Sequence, residues 1–399
     1  MTAPDQSLIA AALSTAHVTG LTHNYYRYPA RFSPEFVGAG RVVVPSRGRG
    51  QILRAIAASY CMLNLATLVA GCGSPTATVG DCEGDASNCW QHLGLPDRYV
   101  EDLAATPWGL FAGTDAGVYR FDSTSATWVA SGLEAHIVAA LAYVPRSEGY
   151  LLAGVVPANV EITAASVFAS MDTGLTWVPW DNDWSDSADG RLWAFALSVD
   201  PLDPSHILWG GEAHIGESTD GGATWDIVWG TVTGLAQGIH AVVFPAGTAG
   251  PAWAVGNSAF GGGYVMRSTN RGAAWQQLLP VGESEIPFWS GLTDPVDPDR
   301  FWIGLNGGVI MTPDGGTQWE PSLRDVGAVR GLAAIGSTLY AAAGTIGLET
   351  ELQLYRLPPN ATEWESVPVP ASRGAWSMIS DGNQLLIGTD RAGVWRYKP

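Results

Sequence analysis

The sequence has little charge and almost no lysine. Of its 399 residues only 15% are charged, and 20 basic residues face 38 acidic ones, for a net charge of −18. All the basic residues except Lys398 are arginines. This excess of acid argues against a nucleic-acid partner and against docking on an anionic membrane surface, because both would repel the chain. With 46% hydrophobic residues, however, the chain is not a disordered polyampholyte and can bury a large core.

Cysteine is scarce, and tryptophan is absent from the first part of the chain. There are 4 cysteines, whereas all 18 tryptophans lie at or after Trp90. The composition therefore changes just before Trp90. The 49 glycines and 25 prolines, together with the tryptophans, predict many short strands and turns rather than long helices.

One segment of the first part has the pattern of a targeting signal. Arg47, Arg49 and Arg54 precede the apolar run 55–70, which ends in Val69-Ala70-Gly71-Cys72. Small residues before a cleavage point suit a signal peptidase. Alternatives are a short core helix or a membrane anchor, although residues 55–71 are at the lower limit for spanning a bilayer.

With a cysteine directly after the small residues, this segment resembles the lipobox of bacterial lipoproteins. The resemblance implies that residues 45–71 are a signal peptide, that Cys72 becomes the lipid-modified N-terminus, and that residues 72–88 form a tether. The expected location is the bacterial cell envelope, as an outer-membrane, surface or periplasmic lipoprotein that contacts the membrane through its lipid alone. Cys82 and Cys89 then remain in an oxidising compartment and are expected to form a disulfide.

Residues 1–44 precede this predicted signal and have no clear role. The stretch 22–34 resembles the opening segment of some site-specific DNA methyltransferases, but the glycine-rich cofactor loop and the catalytic motif are missing. No methyltransferase activity is therefore implied. We interpret residues 1–44 as an extraneous or disordered extension, with translation starting near Val42 to Val44.

From Trp90 onward a unit of four strands recurs seven times. The first strands begin near Val100, Ile137, Trp193, His240, Phe288, Val329 and Trp376. The seventh unit stops after three strands, and the segment Cys89-Trp90-Gln91-His92-Leu93 matches the fourth strand that starts near Trp275. The repeat predicts an all-β, seven-bladed β-propeller of four-stranded antiparallel blades over residues 89–399, closed by the N-terminal strand near Trp90. We expect a monomer.

The turns between third and fourth strands carry the motif S-x-D-x-G-x-T-W, twice in full and twice with substitutions. The residues are Ser170, Asp172, Gly174 and Trp177; Ser218, Asp220, Gly222 and Trp225; Asn270, Gly272 and Trp275; and Asp314, Gly316 and Trp319. The motif resembles the Asp-box of sialidases, xyloglucan-type glycosidases, sortilin-like (BNR-repeat) receptors and photosystem assembly factors. We interpret these residues as structural, because the acid caps its own turn and the glycine adopts a left-handed conformation.

The sequence supports no catalytic residue. A sialidase needs three converging arginines and a tyrosine nucleophile, and neither is found on the first strands. A xyloglucan-type glycosidase uses two carboxylates across a cleft between two propellers, whereas this chain has one propeller. Glu101 and Asp102 are adjacent on a strand, so their side chains face opposite ways and cannot act as a pair.

Candidate binding residues lie in the loops 155–165, 179–191, 257–263 and 344–351. They are Trp180, Asp183, Trp184, Asp186 and Phe260; two further candidates, Arg330 and Arg373, lie on inner strands or their entrances. The aromatic residues could instead pack between sheets. The acidic loop 180–190 departs from a calcium loop at Asp186 and Leu192, so no metal or other cofactor is expected and calcium remains a minor alternative. The sequence therefore predicts a lipid-anchored, non-catalytic module for a protein or glycan ligand; the alternative is a glycoside hydrolase.

Overall fold

The part of the chain that the structure describes is built from β-strands. This computed structural model describes residues 80–81, 88–157, 166–180, 193–230, 238–247, 249–258, 262–279, 286–344 and 351–399, which belong to one structural unit. The predicted segments 1–44 and 45–71, most of 72–88, and both Cys72 and Cys82 lie outside these residues. No helix occurs in the described residues, and none of them therefore forms an apolar helix long enough to cross a membrane.

The first half of the described chain holds thirteen strands. They are β1 (Gly80–Asp81), β2 (Cys89–Thr106), β3 (Gly109–Thr114), β4 (Gly117–Asp122), β5 (Thr127–Ala130), β6 (His136–Val144), β7 (Tyr150–Pro157), β8 (Val167–Ser170), β9 (Val178–Pro179), β10 (Ala194–Val199), β11 (Ile207–Gly211), β12 (His214–Ser218) and β13 (Asp226–Gly230).

Twelve more strands follow. They are β14 (Gly238–Val243), β15 (Ala252–Asn257), β16 (Gly263–Ser268), β17 (Gln276–Leu279), β18 (Phe288–Thr293), β19 (Phe301–Thr312), β20 (Glu320–Ile335), β21 (Thr338–Gly344), β22 (Gln353–Leu357), β23 (Glu365–Val367), β24 (Ala375–Asp381) and β25 (Gln384–Lys398).

Within the described residues, these strands form five hydrogen-bonded sheets. Three sheets have four antiparallel strands each: β6 to β9, β10 to β13, and β14 to β17. The fourth has six strands, β18 to β23, and the fifth has seven, in the order β24-β25-β2-β3-β4-β5 with β1 beside β2. The sequence predicted seven four-stranded blades, whereas the described residues form five hydrogen-bonded sheets, two of which have more than four strands.

The reason is that single strands continue from one sheet region into the next. The first part of β2, up to Tyr99, pairs with β25, and the part from Val100 onward pairs with β3. In the same way, β20 pairs with β19 up to Ala328 and with β21 from there. Because hydrogen bonding continues along β2 and along β20, each of these strands joins two units of the repeat into one larger sheet.

The two ends of the ring meet where the sequence predicts. Cys89 of β2 pairs with Lys398 of β25, and Trp90 pairs with Tyr397. Trp90 is 2% exposed, its ring centroid lies 4.7 Å from that of Tyr397, and its indole N–H donates to the carbonyl of Pro368 at 2.9 Å. Cys89 is disulfide-bonded, with its partner outside the described residues. This seam leaves no free edge where the chain ends meet.

Apolar side chains fill the wedges between successive sheet regions. Large tryptophans such as Trp209, Trp253 and Trp302 are almost completely buried there. Glycine is found where neighbouring sheet regions approach closely: a Cβ at Gly113 of β3 would lie 2.7 Å from the carbonyl oxygen of Val138 on the strand β6. The absence of a side chain at such a position therefore lets the two sheet regions pack closely.

Each innermost strand has the same irregularity. In β2, β6, β10, β14, β18, β20 and β24, the pairing with the next strand skips one residue. Each of these strands contacts the next, and β24 contacts β2 again. Such a β-bulge redirects the side chain of the skipped residue and so interrupts the alternation of successive side chains between the two faces of the sheet.

Candidate functional site in the central channel

The seven skipped residues line the inside of the ring. In chain order they are Glu101, Ala139, Phe195, His240, Trp289, Arg330 and Trp376. All seven are partly exposed, whereas most of their neighbours along the strands are buried between sheets. The bulge therefore turns one side chain of each innermost strand towards the channel.

Most of these side chains are in contact, and with two neighbouring rings they form a continuous series of ring–ring and cation–π contacts that we call the channel belt. The belt consists of Trp193, Phe195, His240, Trp289, Arg330, Trp376 and Tyr99. Starting at Trp193, its successive separations are 5.9, 5.4, 5.4, 4.0, 4.0 and 5.2 Å, measured between ring centroids or from the arginine Cζ to a ring centroid. Side chains from six different innermost strands and their entrances are thereby held together.

Arg330 occupies the centre of the belt. Its Cζ lies 4.0 Å from the ring centroid of Trp289 on one side and 4.0 Å from that of Trp376 on the other. Both separations are well within the range of a cation–π interaction, which is strongest when the cation is partly desolvated. The two indoles thus fix the plane and position of the guanidinium group. Burial, and secondarily the charge of Arg330, lower the pKa of the nearby His240 to about 4, so its imidazole is neutral at pH 7.

Hydrogen bonds fix the orientation of both indoles. The N–H of Trp376 donates to Oε2 of Glu101 at 2.5 Å, and that of Trp289 donates to Oδ1 of Asn306 at 2.7 Å. Because each ring is held by a polar contact at its edge and by Arg330 on its face, the belt is organised before any ligand arrives.

Glu101 is the one carboxylate among the seven bulge residues that face the channel. Burial raises its pKa to about 7, and the nearby carboxylates of Asp115 and Asp390 act in the same direction. The hydrogen bond from Trp376 and the charge of Arg330 oppose this rise without cancelling it. The group therefore changes its charge near neutral pH.

Asp102, the next residue, faces away from the channel. Its side chain accepts the backbone N–H groups of Leu103 and Leu141, both at 2.8 Å, and so links β2 to β6. Burial raises its pKa to about 7, although the two hydrogen bonds oppose the change. As the sequence predicts, the two acids point in different directions and do not flank a common space.

The turns between third and fourth strands are held by their own side chains. In the first of them the hydroxyl of Ser170 accepts the N–H of Gly174 at 2.9 Å and donates to Asp172 at 2.9 Å, while Asp172 accepts both the N–H and the hydroxyl of Thr176. Gly174 has a φ of 84°. The same two bonds recur around Asp220, Asn270 and Asp314: a glycine N–H donates to the Ser or Thr hydroxyl, and a second backbone N–H donates to the Asp or Asn side chain.

The hydroxyl of Thr176 and its N–H lower the pKa of Asp172, so this acid is ionised and occupied by its own turn. These turns lie at the opposite end of the third strand from the turns that approach the channel belt, such as the one carrying Asn306. Their acids therefore have no access to a ligand in the belt.

The predicted ligand-binding residues are only partly brought together. Arg330 is in the belt. Arg373 is exposed and lies outside the belt, and its backbone forms an isolated antiparallel β-bridge with that of Glu351. Trp180 packs between sheets, where its N–H donates to the carbonyl of Gly221 at 3.3 Å and its ring lies 5.9 Å from Tyr150. Asp183, Trp184, Asp186 and Phe260 lie outside the described residues, and so does most of the acidic loop considered for calcium.

Most belt residues were missed as candidates, although a signal for them exists. Phe195, His240, Trp289 and Trp376 occupy the same position of the repeat as Arg330. Comparing that one position across all seven first strands would have grouped them. In the described part of the chain, no cluster of three or more His, Cys, Asp or Glu side chains could hold a metal ion.

A second concave surface lies at the outer edge of the ring. It encloses about 930 Å³ between β5, the β2–β3 and β4–β5 turns and the end of β25. Val129 is 53% exposed on it, and Arg120 and Arg396 contribute its basic groups. Arg120 already donates to the carbonyl of Trp108 at 3.1 Å, and Arg396 to the side chain of Gln91 at 3.0 Å. This groove lacks the converging, fixed side chains of the belt.

No protein-family model matches the sequence, and no curated protein matches it. Solved structures do match the fold. YCF48 bound to a D1 peptide has a TM-score of 0.55 and 15% identity, and the match covers 81% of this chain and 100% of that one. The GH74 xyloglucanase from Xanthomonas campestris has a TM-score of 0.52 and 15% identity, over 77% of this chain and 44% of that one.

A virginiamycin B lyase from Staphylococcus aureus, in a catalytically inactive form with quinupristin, is also similar, with a TM-score of 0.52, 13% identity and coverage of 77% of this chain and 98% of that one. This chain spans less than half of the xyloglucanase. The fold is therefore that of an all-β propeller with four-stranded antiparallel blades, a class that includes both enzymes and binding modules. At these identities the likeness shows the fold alone.

Proposed function

We propose that this protein is a non-catalytic binding module whose ligand, a protein or a glycan, is held at the channel belt. The observation that carries the proposal is the continuous series of ring contacts from Trp193 to Tyr99, in which the Cζ of Arg330 lies 4.0 Å from the centroids of two indoles. Fixed aromatic groups provide contact area with little loss of conformational entropy on binding. The peptide bound to YCF48, a protein of the same fold, supports a protein ligand.

The arrangement of carboxylates favours binding over hydrolysis. Glycoside hydrolysis requires two carboxyl groups on either side of the scissile bond. Among the seven channel-facing bulge positions only Glu101 is an acid, and Asp102 is engaged with Leu103 and Leu141 at 2.8 Å. Hydrolysis remains the second candidate because Glu101, with a pKa of about 7, has the protonation behaviour of a general acid.

The repeat is best explained as seven blades of the Asp-box class. Seven innermost strands with equivalent bulges and seven apolar clusters between neighbouring sheet regions support this count, with the six-stranded and seven-stranded sheets each comprising two blades. The four turns held by Ser or Thr, Asp or Asn, and a left-handed Gly support the Asp-box assignment.

We further propose that the protein is a lipoprotein of the bacterial cell envelope, with its lipid on Cys72. The support is the order of basic residues, apolar run and Val69-Ala70-Gly71-Cys72 in the sequence. Intact-mass analysis of membrane fractions tests this proposal, since retention of residues before Cys72 in the mature protein would overturn it.

Binding is tested with the full-length protein, purified in detergent, on a combined glycan and peptide array. The expected result is a ligand whose binding is lost in Trp376→Ala and retained in Val129→Ala, a truncation on the outer groove. Aryl-glycoside and xyloglucan hydrolysis are assayed in parallel. Turnover that disappears in Glu101→Gln would instead establish the hydrolase.

A further inference from the structure

Exposed apolar side chains are concentrated beside the outer groove. Among the described residues, six large hydrophobic side chains are about half exposed or more, and four of them lie on β5 or on the hairpin of β8 and β9. These four, which we call the apolar patch, are Val129, Met171, Leu175 and Val178. Leu175 is 73% exposed and Val129 53%, and both line the outer groove. Apolar side chains grouped in this way are typical of a surface that contacts another molecule or a membrane.

The two parts of the apolar patch are fixed to each other. The hydroxyl of Ser131, directly after β5, donates to the carbonyl of Gly174 at 2.6 Å. The indole N–H of Trp177 donates to the carbonyl of Ser131, also at 2.6 Å. Because these bonds join the strand of Val129 to the turn of Leu175, the patch is organised before it meets a partner.

The chain enters the described fold beside this patch. Gly80 of β1 pairs with Cys89 at the start of β2, and Gln91, two residues further on, lines the outer groove. Seven residues separate Gly80 from Cys72. Fully extended, the chain from Cys72 to Gly80 spans at most about 29 Å. A bilayer that holds a lipid on Cys72 must therefore lie within this distance of Gly80.

The charged groups that line the outer groove balance each other. Arg120 and Arg396 are basic, and Asp122 and Glu134 are acidic. A zwitterionic lipid headgroup, which carries a phosphate and an ammonium group, is compatible with such a surface. An anionic bilayer would instead be repelled by the net charge of −18.

We propose that the apolar patch rests on a bilayer of zwitterionic lipid, with Leu175 and Val129 inserted among the headgroups. The proposal rests on the proposed lipid at Cys72 and adds a second membrane contact, which fixes the orientation of the tethered ring. The turn that carries Leu175 lies at the opposite end of its third strand from the turns that approach the channel belt. In this orientation the belt remains open to a ligand from the aqueous side.

The test uses the full-length lipidated protein in vesicles of palmitoyl-oleoyl phosphatidylcholine. A nitroxide is attached to Leu175→Cys or, as the matched control, to Ala371→Cys, which is exposed in the segment between β23 and β24 at the other end of the strands. Electron paramagnetic resonance measures access of each nitroxide to oxygen, which concentrates in the bilayer, and to a nickel chelate, which stays in water. The nitroxide at position 175 should lose most of its access to nickel and gain access to oxygen, and the one at position 371 should remain accessible to nickel.

A charge in the patch should reverse this result. Val129→Glu should restore access of nickel to the nitroxide at position 175, whereas Ala371→Glu, with the same charge at the other end of the strands, should not. Because Leu175 is 73% exposed, a nitroxide there leaves the core intact, and its measurement stands even if Val129→Glu impairs folding.

Equal access of nickel to both nitroxides would overturn the proposal and would leave the patch open to a protein partner. Flotation of the same samples with the vesicles separates the two proposals. If the protein floats but both nitroxides are in water, only the patch contact fails and the lipid anchor stands. If the protein does not float and intact-mass analysis finds no lipid on Cys72, both proposals fail.

Discussion

Replacing Asp102 by asparagine should make the protein increasingly stable, relative to the unmodified protein, as the pH rises to neutral. The Asp102 carboxylate is withdrawn from solvent between β2 and β6, where it accepts the N–H groups of Leu103 and Leu141 at 2.8 Å. An asparagine side chain of the same shape has one accepting oxygen where the carboxylate uses two, so one of these bonds is lost at every pH. It carries no charge, so the cost of burying an ionised group disappears.

The magnitude follows from the pKa of Asp102, which burial raises from 3.8 to about 7. Because the folded value lies above the unfolded one, the stabilisation contributed by the bound proton is complete below pH 3.8 and is lost as the pH rises through about 7. About three pKa units correspond to about 4 kcal/mol at most. The free energy of unfolding of Asp102→Asn, relative to the unmodified protein, should therefore rise by about 1.4 kcal/mol per pH unit between pH 5 and pH 7 and level off above pH 7.

Urea unfolding of both proteins at half-unit steps from pH 5 to pH 8 measures this difference. Asp122→Asn is the matched control, because Asp122 is exposed and the hydroxyl of Ser125 lowers its pKa, so it stays ionised throughout this range. Its effect on stability should not depend on pH. Parallel stability curves for Asp102→Asn and the unmodified protein would refute the reasoning, since they would mean that Asp102 titrates in the folded protein as it does in the unfolded one.

Three further outcomes are expected. Trp90→Ala should lower the free energy of unfolding by about 3–5 kcal/mol, because it leaves a cavity in the seam between β2 and β25. Differential scanning calorimetry measures this loss, and the control Val129→Ala, at an exposed position, should change the free energy of unfolding little. Gly113→Ala should cost about 1–3 kcal/mol in the same experiment, since its Cβ would lie 2.7 Å from the carbonyl oxygen of Val138. The imidazole of His240 should stay neutral from pH 8 to pH 5, so the NMR signals of its ring carbon-bound protons should not move over this range. A titration of these signals with a midpoint near pH 6.5 would show that the imidazole is not buried beside Arg330.

The repeat in the sequence predicted much of the fold. Alternating apolar residues and recurrent turns identified the strands, and the similarity of residues 89–93 to those near Trp275 predicted that the N-terminal strand would pair with the last one, as it does from Cys89 to Lys398. The division into separate sheets was not predicted. Whether hydrogen bonding stops between the two parts of β2 or β20 depends on how the chain turns there, and no residue pattern marks that point.

The channel belt could be predicted only in part. Arg330 was a candidate because it lies on an inner strand, but Trp289 and Trp376 resembled the many tryptophans that pack between sheets. A strand pattern assigns every second side chain to one face, and these residues escape that rule because a bulge turns them into the channel. Trp180 shows the converse, since it was a candidate for stacking and instead packs against Tyr150.

The sequence by itself determined the local structure: where strands begin and end, which turns are held by an acid, a hydroxyl and a left-handed glycine, and that the ends of the repeat complete one another. These features depend on residues within a few positions of each other or on exact repetition. Only the tertiary structure placed Glu101, Arg330 and Trp376 together, because they come from different innermost strands and meet only when the ring closes. The shifted pKa of Glu101 has the same origin, since burial and the charges that act on it come from parts of the chain far apart in sequence.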